Sequence, residues 1–536
     1  MHLLIVGSGA SGVHLAITAL ERGIRVTMID AGFERPPATL PTASFDRLKT
    51  ELADPVGYFL GLRGEGVVYP ATKSSYYGHP PSKQYVFRTP ARFAVEAHRM
   101  SPLFSFATGG LAEAWTAGSY EFSAADLREF PFPTGDLTAG YRAVAKRIGI
   151  SGVRDDLAAF IPFEADYLPA LPADRASNLL LDRYAARREA LNRRWRFFLG
   201  RSRVATLSRP HGDRPACDQL GRCLWGCPTD AIYSPAVTLR ECRAHSGFAY
   251  LPGWLVSHYD YNGEGRVTGL TATPVNGGEP RVFTADQYAL AAGALTSSKI
   301  VLESIHRRTG VVERLPGLMD NRQIHLPFLL PAMIGQAVPR DSYQFHHLAF
   351  GVERPDPTEY IHGQITTLRA ASVHPVVSSL PMDFRGAMAA FRGLRSGLAL
   401  ANINLHDRRR STSTLSIRPR DSGPPALQLD YADDPAEPGQ IDAAVRSTRR
   451  ALGGLGALFP PGMTRVLPKG ASVHYAGTLP MSRDRARLGA RPDGRSWDFP
   501  NLTFADGATF PFLPAKNLTF TLMANAVRLG RALGED

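Results

Sequence analysis

The chain has 536 residues, 44% hydrophobic and 21% charged, which suits roughly two to four globular domains and excludes a disordered or collagen-like chain. No apolar run approaches the roughly 18 residues of a membrane helix; the longest candidate, residues 324–335, contains His325, Pro327 and Pro331. The formal charge of +12 makes no nucleic-acid footprint, because the basic residues are scattered arginines, with only seven lysines among 61, and no binding motif accompanies them.

Met1-His2 leads straight into residues 3–6 (Leu-Leu-Ile-Val), a continuous apolar strand with no basic stretch or small-residue cleavage site ahead of it, so the expected location is the cytoplasm. Four cysteines in so long a chain make no disulfide framework. Gly7-Ser8-Gly9-Ala10-Ser11-Gly12 follows the strand, residues 13–22 have helical apolar spacing, and residues 25–29 form a second strand ending at Asp30. In this setting each glycine has a task. Gly7 permits the tight turn, Gly9 lets the backbone approach a pyrophosphate, and Gly12 lets helix and strand pack closely. Asp30, at the end of the second strand, is placed to accept from ribose hydroxyls. The unit alone suits NAD and FAD equally. The irregular residues 31–90, with Tyr76, Tyr77 and Tyr85, favour a chain wrapped around a large cofactor over the regular βα units of an NAD enzyme.

Residues 106–118 hold a second glycine cluster, with Gly109, Gly110 and Trp115. Residues 126–209 read as helical, especially the Arg/Ala/Leu-rich 173–203. Residues 286–291 read as a buried strand leading to Ala292-Gly293-Ala294 and a helix from Ser297. Alternating stretches at 346–352, 360–368, 398–405 and 415–418 predict a sheet. The tail carries Val473-His474-Tyr475-Ala476-Gly477-Thr478, then Asn-Leu-Thr-Phe-Ala-Asp-Gly at 501–507, then Pro514-Ala515-Lys516-Asn517 before a helix over 520–533.

Together these segments resemble the glucose–methanol–choline (GMC) family of FAD-dependent oxidoreductases, end to end and in the family's order. The resemblance implies an α/β (α+β) fold. In it, a Rossmann-like FAD-binding domain is assembled from residues 1–125, 210–312 and 464–536. A discontinuous substrate-binding domain, from 126–209 and 313–463, is built on an antiparallel sheet. It implies that Gly7, Gly9, Ser11, Gly12 and Asp30 hold the ADP half of FAD, with Val256 near the adenine. Gly109, Gly110, Ala112 and Trp115 would lie along the flavin and ribityl chain. Ala292, Asp506, Gly507 and Thr519 complete the set, and His474 and Asn517 match the family's catalytic pair. Some members tether the flavin through a histidine beside the second glycine cluster. Residues 109–118 contain none, so the FAD expected here is non-covalent.

The implied reaction is oxidation of an alcohol, with carbohydrate-oxidising relatives favouring a sugar, glycoside or aminocyclitol hydroxyl. A histidine suits the base role because its ordinary pKa of about 6.5 lies near working pH. An asparagine can orient the hydroxyl and steady developing charge, while flavin N5 would receive the hydride. Oxygen or an electron-acceptor protein or small molecule would be the second substrate. A lyase-like flavoprotein using the same histidine without redox chemistry is the alternative. His325, His346 and His347 are expected as structural or pocket-lining residues of the substrate domain. Cys217, Cys223 and Cys227 lie within eleven residues and resemble the iron–sulfur segment of some bacterial family members. Asp218 stands where that segment carries a cysteine, so an iron–sulfur cluster and thiols that pack a loop both remain readings.

Overall fold

The computed structural model describes residues 1–35, 42–61, 80–162, 164–338, 341–367 and 380–534. Tyr76, Tyr77 and Leu368 lie outside the described residues. Two sheets organise the chain. The first is parallel and five-stranded, in the order Leu502–Phe504, Gln287–Leu290, His2–Val6, Arg25–Ile29, Phe248–Leu251. Its strands come from three separated parts of the sequence. The apolar run at its centre is buried on both faces, as parallel strands usually are. Leu3 and Ile5 pack with the helices Ala10–Glu21 and Thr519–Ala532, while Leu4 and Val6 join the larger core on the other side.

The second sheet is antiparallel and six-stranded, in the order Arg465–Val466, Arg322–Leu329, Leu398–Leu405, Ile361–Thr367, Leu348–Val352, Phe197–Arg201. Successive residues of a strand face opposite ways, and here the two faces differ sharply in chemistry. Ile324, Leu326, Ala401, Ile403, Ile361 and Ile365 form an apolar face packed on the helices Arg175–Trp195 and Glu437–Gly454. The opposite face carries polar residues in register: His325 opposes Asn402, which opposes Gln364, and Gln323 opposes Asn404, which opposes His362.

The expectation of helix across residues 126–209 is corrected: helix holds over Thr134–Ile148 and Arg175–Trp195. The second helix ends at Trp195, Arg196 adopts a left-handed conformation (φ 51°), and Phe197–Arg201 forms the edge strand beside Leu348–Val352. Two adjacent aromatics at 197 and 198 favour a pleated, half-buried surface over a further helical turn. The helix expected from Ser297 begins at Ala294, and the tail helix spans Thr519–Ala532.

The tail helix is the element that joins the parts of the fold. Gly530 lies against the first helix, where a Cβ would meet Thr18 at 2.9 Å, and Gly140 lies against its other side, where a Cβ would meet the Ala524 carbonyl oxygen at 2.4 Å. The second contact is to backbone, so the Thr134–Ile148 helix must move to relieve it. Gly140→Ala is therefore expected to destabilise the protein by about 1–3 kcal/mol, seen as a lower urea midpoint. An unchanged midpoint would show that the two helices can separate freely.

Candidate active site

A cavity of about 410 Å³ runs from the first glycine loop to the polar face of the antiparallel sheet. At the glycine end, close approach of backbone dictates the sequence. Gly7 has φ +98° and a Cβ there would lie 2.7 Å from the Ala291 carbonyl oxygen; one at Gly12 would lie 2.0 Å from the Gly7 oxygen. Gly9 differs, since its nearest neighbour would be the Gly109 oxygen at 4.0 Å. Its missing side chain leaves open space in the cavity, whereas those of Gly7 and Gly12 allow packing. Ser8 ties the region together. Its hydroxyl bonds the Asp30 carboxylate and accepts the Gly109 N–H at 3.0 Å. Asp30 also accepts from the Ser8 amide at 3.2 Å and the Tyr250 hydroxyl at 3.3 Å, and burial pushes its carboxyl up to about 6.

Three helices begin at this cavity, at Ala10, Ala294 and Thr519, and none has a side-chain cap. Their first amides are therefore without an intrahelical or capping partner, and their dipoles point positive ends inward. That is the arrangement that holds a pyrophosphate. Asp506 accepts from the Gly293 amide at 2.9 Å, the Ser297 hydroxyl at 2.5 Å and the Ala508 amide at 3.0 Å, which locks the Gly293 turn to the tail. A glycine cradle, uncapped helix ends, and a cavity lined along its length by Gly110, Ala112, Trp115, Val256, Ala292 and Gly507 together fit an extended dinucleotide such as FAD.

Most of the residues expected at the site line this one cavity: Gly7, Gly9, Ser11, Asp30, Gly110, Ala112, Trp115, Val256, Ala292, His474, Asp506, Gly507, Asn517 and Thr519. Gly12 and Gly109 stand behind it. Gly109 has φ +90° and faces the Glu113 carboxylate, so it shapes the second loop and leaves the lining to Gly110.

At the other end stand His474 and Asn517, both buried or nearly so. His474 Nδ1 lies 2.9 Å from Asn321 Oδ1. The Asn321 amide nitrogen donates to the Leu405 carbonyl at 2.8 Å and the Pro514 carbonyl at 3.0 Å, so the amide's orientation is fixed and its oxygen can only accept. Nδ1 therefore carries the proton and Nε2 is the unprotonated nitrogen. Burial lowers the His474 pKa to about 4, which keeps the ring neutral at pH 7 and competent as a base. The backbone of His474 is held as well: its amide donates to Ser472 Oγ at 2.9 Å, and the Ser472 hydroxyl bonds the buried Asp320 carboxylate.

Asn517 is oriented in the same manner. Gln364 Nε2, on the polar face of the sheet, donates to Asn517 Oδ1 at 2.7 Å, leaving the Asn517 amide nitrogen as the donor. The preceding Lys516 is buried, bonded to Asp126 and donating to the Phe160 carbonyl at 2.7 Å. Neither Asn321 nor Gln364 was singled out from sequence. For Gln364 the signal available was His362, Gln364 and Thr366 alternating with Ile361, Gly363 and Ile365 in one strand; Asn321 lies between two strands and carries no such pattern.

Of the histidines expected in the substrate domain, His325 and His346 line the cavity. His347 does not: its Nε2 lies 3.0 Å from the Tyr343 carbonyl and 3.6 Å from Asp174. The cysteines are elsewhere. Cys217 and Cys223 pack with Leu171, Val204 and Tyr343 in a small apolar cluster, Cys223 accepts from the Gln344 amide at 3.3 Å, and Cys227 sits 3.6 Å from the Thr229 hydroxyl. Burial pushes Cys217 up to about 11 and raises Cys223 further, so both are protonated thiols. Among the described residues no group of three or more His, Cys, Asp or Glu side chains is arranged to hold a metal ion. The geometry thus gives no support to the iron–sulfur reading.

A parallel dinucleotide-type sheet joined to a polar-faced antiparallel sheet over a histidine and asparagine suits an oxidoreductase that binds a dinucleotide cofactor. Residues 408–526 match the sequence profile described as GMC oxidoreductase, a family whose members are FAD-binding flavoproteins. It is 24% identical over its whole length, and over 91% of the relative's, to paromamine 6'-oxidase of Streptomyces fradiae. A C-glycoside 3-oxidase of Microbacterium trichothecenolyticum is 28% identical over 51% of each chain. Pyridoxine 4-oxidase from Mesorbium loti superposes with a TM-score of 0.61 at 17% identity, covering 100% of this chain and 99% of that one.

If Asn321 sets the tautomer of His474, its loss should reach the rate without emptying the site. His474→Ala is expected to lower kcat by roughly 10²–10⁴-fold, and Asn321→Ala by roughly 10–100-fold with KM changed little. Equal kcat for Asn321→Ala and wild type would remove the asparagine from the account.

Proposed function

We propose that this chain binds FAD non-covalently and oxidises a CH–OH group of a sugar-like substrate to a carbonyl. One observation supports it above all: a neutral histidine with its Nδ1 proton committed to Asn321, in the same cavity as a glycine cradle and three uncapped helix ends. Residues 1–125, 210–312 and 464–536 would form the cofactor-binding unit, with Gly7, Gly9, Ser11 and Asp30 at the ADP end. When bound, FAD supplies the two-electron acceptor.

The chain's own residues would do the rest. His474 Nε2 takes the hydroxyl proton as the carbonyl forms, and the ring becomes a cation whose Nδ1–H remains bonded to Asn321. Asn517 donates through its amide nitrogen to the substrate oxygen, because Gln364 occupies its acceptor. The polar sheet face offers neutral partners to the remaining hydroxyls. The relatives named above are all oxidases, which supports dioxygen as the final electron acceptor. The thiols at 217, 223 and 227 would take no part in electron transfer.

The purified protein should show a two-banded flavin spectrum that moves wholly to the supernatant on acid precipitation, with no iron and four titratable thiols after denaturation. Anaerobic mixing with sugars should bleach the flavin, and admission of air should restore it with one hydrogen peroxide per turnover. A folded protein that carries no flavin, or whose flavin no alcohol bleaches, would overturn the proposal.

A further inference from the structure

The substrate end of the cavity has a chemical bias that narrows what it can accept. Six side chains of the sheet and its approach line it: Gln323, His325, His346, Gln364, Thr366 and Asn402. All are neutral hydrogen-bonding groups, the two histidines because burial lowers them to about 4 and about 3. The carboxylates among the described lining residues are Asp30 and Asp506, and both belong to the glycine end. Both are also engaged, Asp30 by Ser8 and Tyr250 and Asp506 by Gly293, Ser297 and Ala508. The undescribed segments hold one acid, Glu65, apart from the last two residues of the chain. Near the polar face the fixed charges include Lys516, paired with Asp126, and the buried Arg203. Two polar atoms of the lining residues, His346 Nε2 and Asn402 Oδ1, are buried with no hydrogen-bond partner.

We infer that the site is built for an uncharged polyol or glycoside and discriminates against amino sugars. This rests on the reading of the chain as an alcohol-oxidising flavoenzyme. An ammonium brought into this end would lose its water and meet no carboxylate, which is costly for any buried charge. A hydroxyl in the same place loses little, because amide and imidazole groups replace its water partners one for one. Buried polar atoms left unpaired strengthen the choice, since a substrate that satisfies them is favoured over one that cannot. The substrate class would therefore be that of a neutral glycoside, in contrast to the cationic aminoglycoside class to which paromamine belongs.

The test uses the flavin-loaded enzyme under anaerobic conditions. The probes are methyl glucoside and its two counterparts carrying an amine at C2 or at C6, so that the reacting hydroxyl survives in at least one. At pH 6, where the amines are protonated, the second-order rate of flavin bleaching by the neutral sugar should exceed that of either amino sugar by at least about a hundredfold. At pH 9 the gap should shrink at least tenfold for an amino sugar that keeps the reacting hydroxyl, as its amine loses its charge. His474 stays neutral across this range, so the neutral sugar's own rate should not follow. Asn402→Asp, the same shape with a carboxylate, should narrow the gap at pH 6 by roughly tenfold or more, and His346→Ala should raise KM for the neutral sugar. Equal or faster bleaching by an amino sugar at pH 6 overturns the inference and leaves the oxidoreductase reading intact. No bleaching by any sugar overturns both.

Discussion

The hydrogen bond between His474 Nδ1 and Asn321 Oδ1 is the interaction on which the proposed chemistry depends. A buried imidazole could present either nitrogen to a substrate. Here two backbone carbonyls hold the Asn321 amide nitrogen, so the amide oxygen can only accept and the histidine can only donate through Nδ1. Those carbonyls belong to Leu405, at the end of a strand of the antiparallel sheet, and to Pro514, in the tail ahead of Asn517. The tautomer of one ring is thus set by the way the sheet meets the tail. The same junction orients Asn517, through Gln364 on a neighbouring strand.

The two sheets do different work at this junction. The parallel sheet and the helices leaving it supply close backbone approach, open space at Gly9 and uncapped amides, which together suit a phosphate-bearing cofactor. The antiparallel sheet supplies one apolar face, which anchors it on two helices, and one polar face, which closes the cavity. Strand alternation makes both from the same segments, so a single-residue slip in register would turn Gln364 and Asn402 toward the helices and Ile365 and Ala401 toward the cavity. The clasp at Gly140 and Gly530 keeps the tail helix, and with it Asn517, in fixed relation to both sheets.

Local chemistry was legible in the sequence and distant chemistry was not. Gly7, Gly12 and Asp30 are readable because their roles follow from steric rules acting within thirty residues. The strand Leu398–Leu405 matches the expected bounds, an apolar run in which Asn402 and Asn404 alternate with Ala401, Ile403 and Leu405. Asn321 and Gln364 each lie 153 residues from the side chain they orient, and no local pattern connects such pairs. The helix expected through residue 203 failed where Arg/Ala/Leu composition gave way to two phenylalanines that pair with a strand far along the chain. Spacing groups Cys217, Cys223 and Cys227, and they remain neighbours in space. In the fold, two of them serve a small apolar cluster and the third faces a threonine hydroxyl. Family order, rather than any single motif, singled out His474 among fifteen histidines.

The most direct test of this account is the protonation of one ring. Imidazole ¹⁵N spectra of labelled enzyme, with the His474 signals assigned by difference against His474→Gln, report both tautomer and charge as pH is varied. The account predicts a neutral ring protonated at Nδ1 from pH 8 down to about pH 5, with the cation forming only as the pH nears 4. A ring protonated at Nε2, or one that becomes a cation near its ordinary pKa of about 6.5, would contradict it.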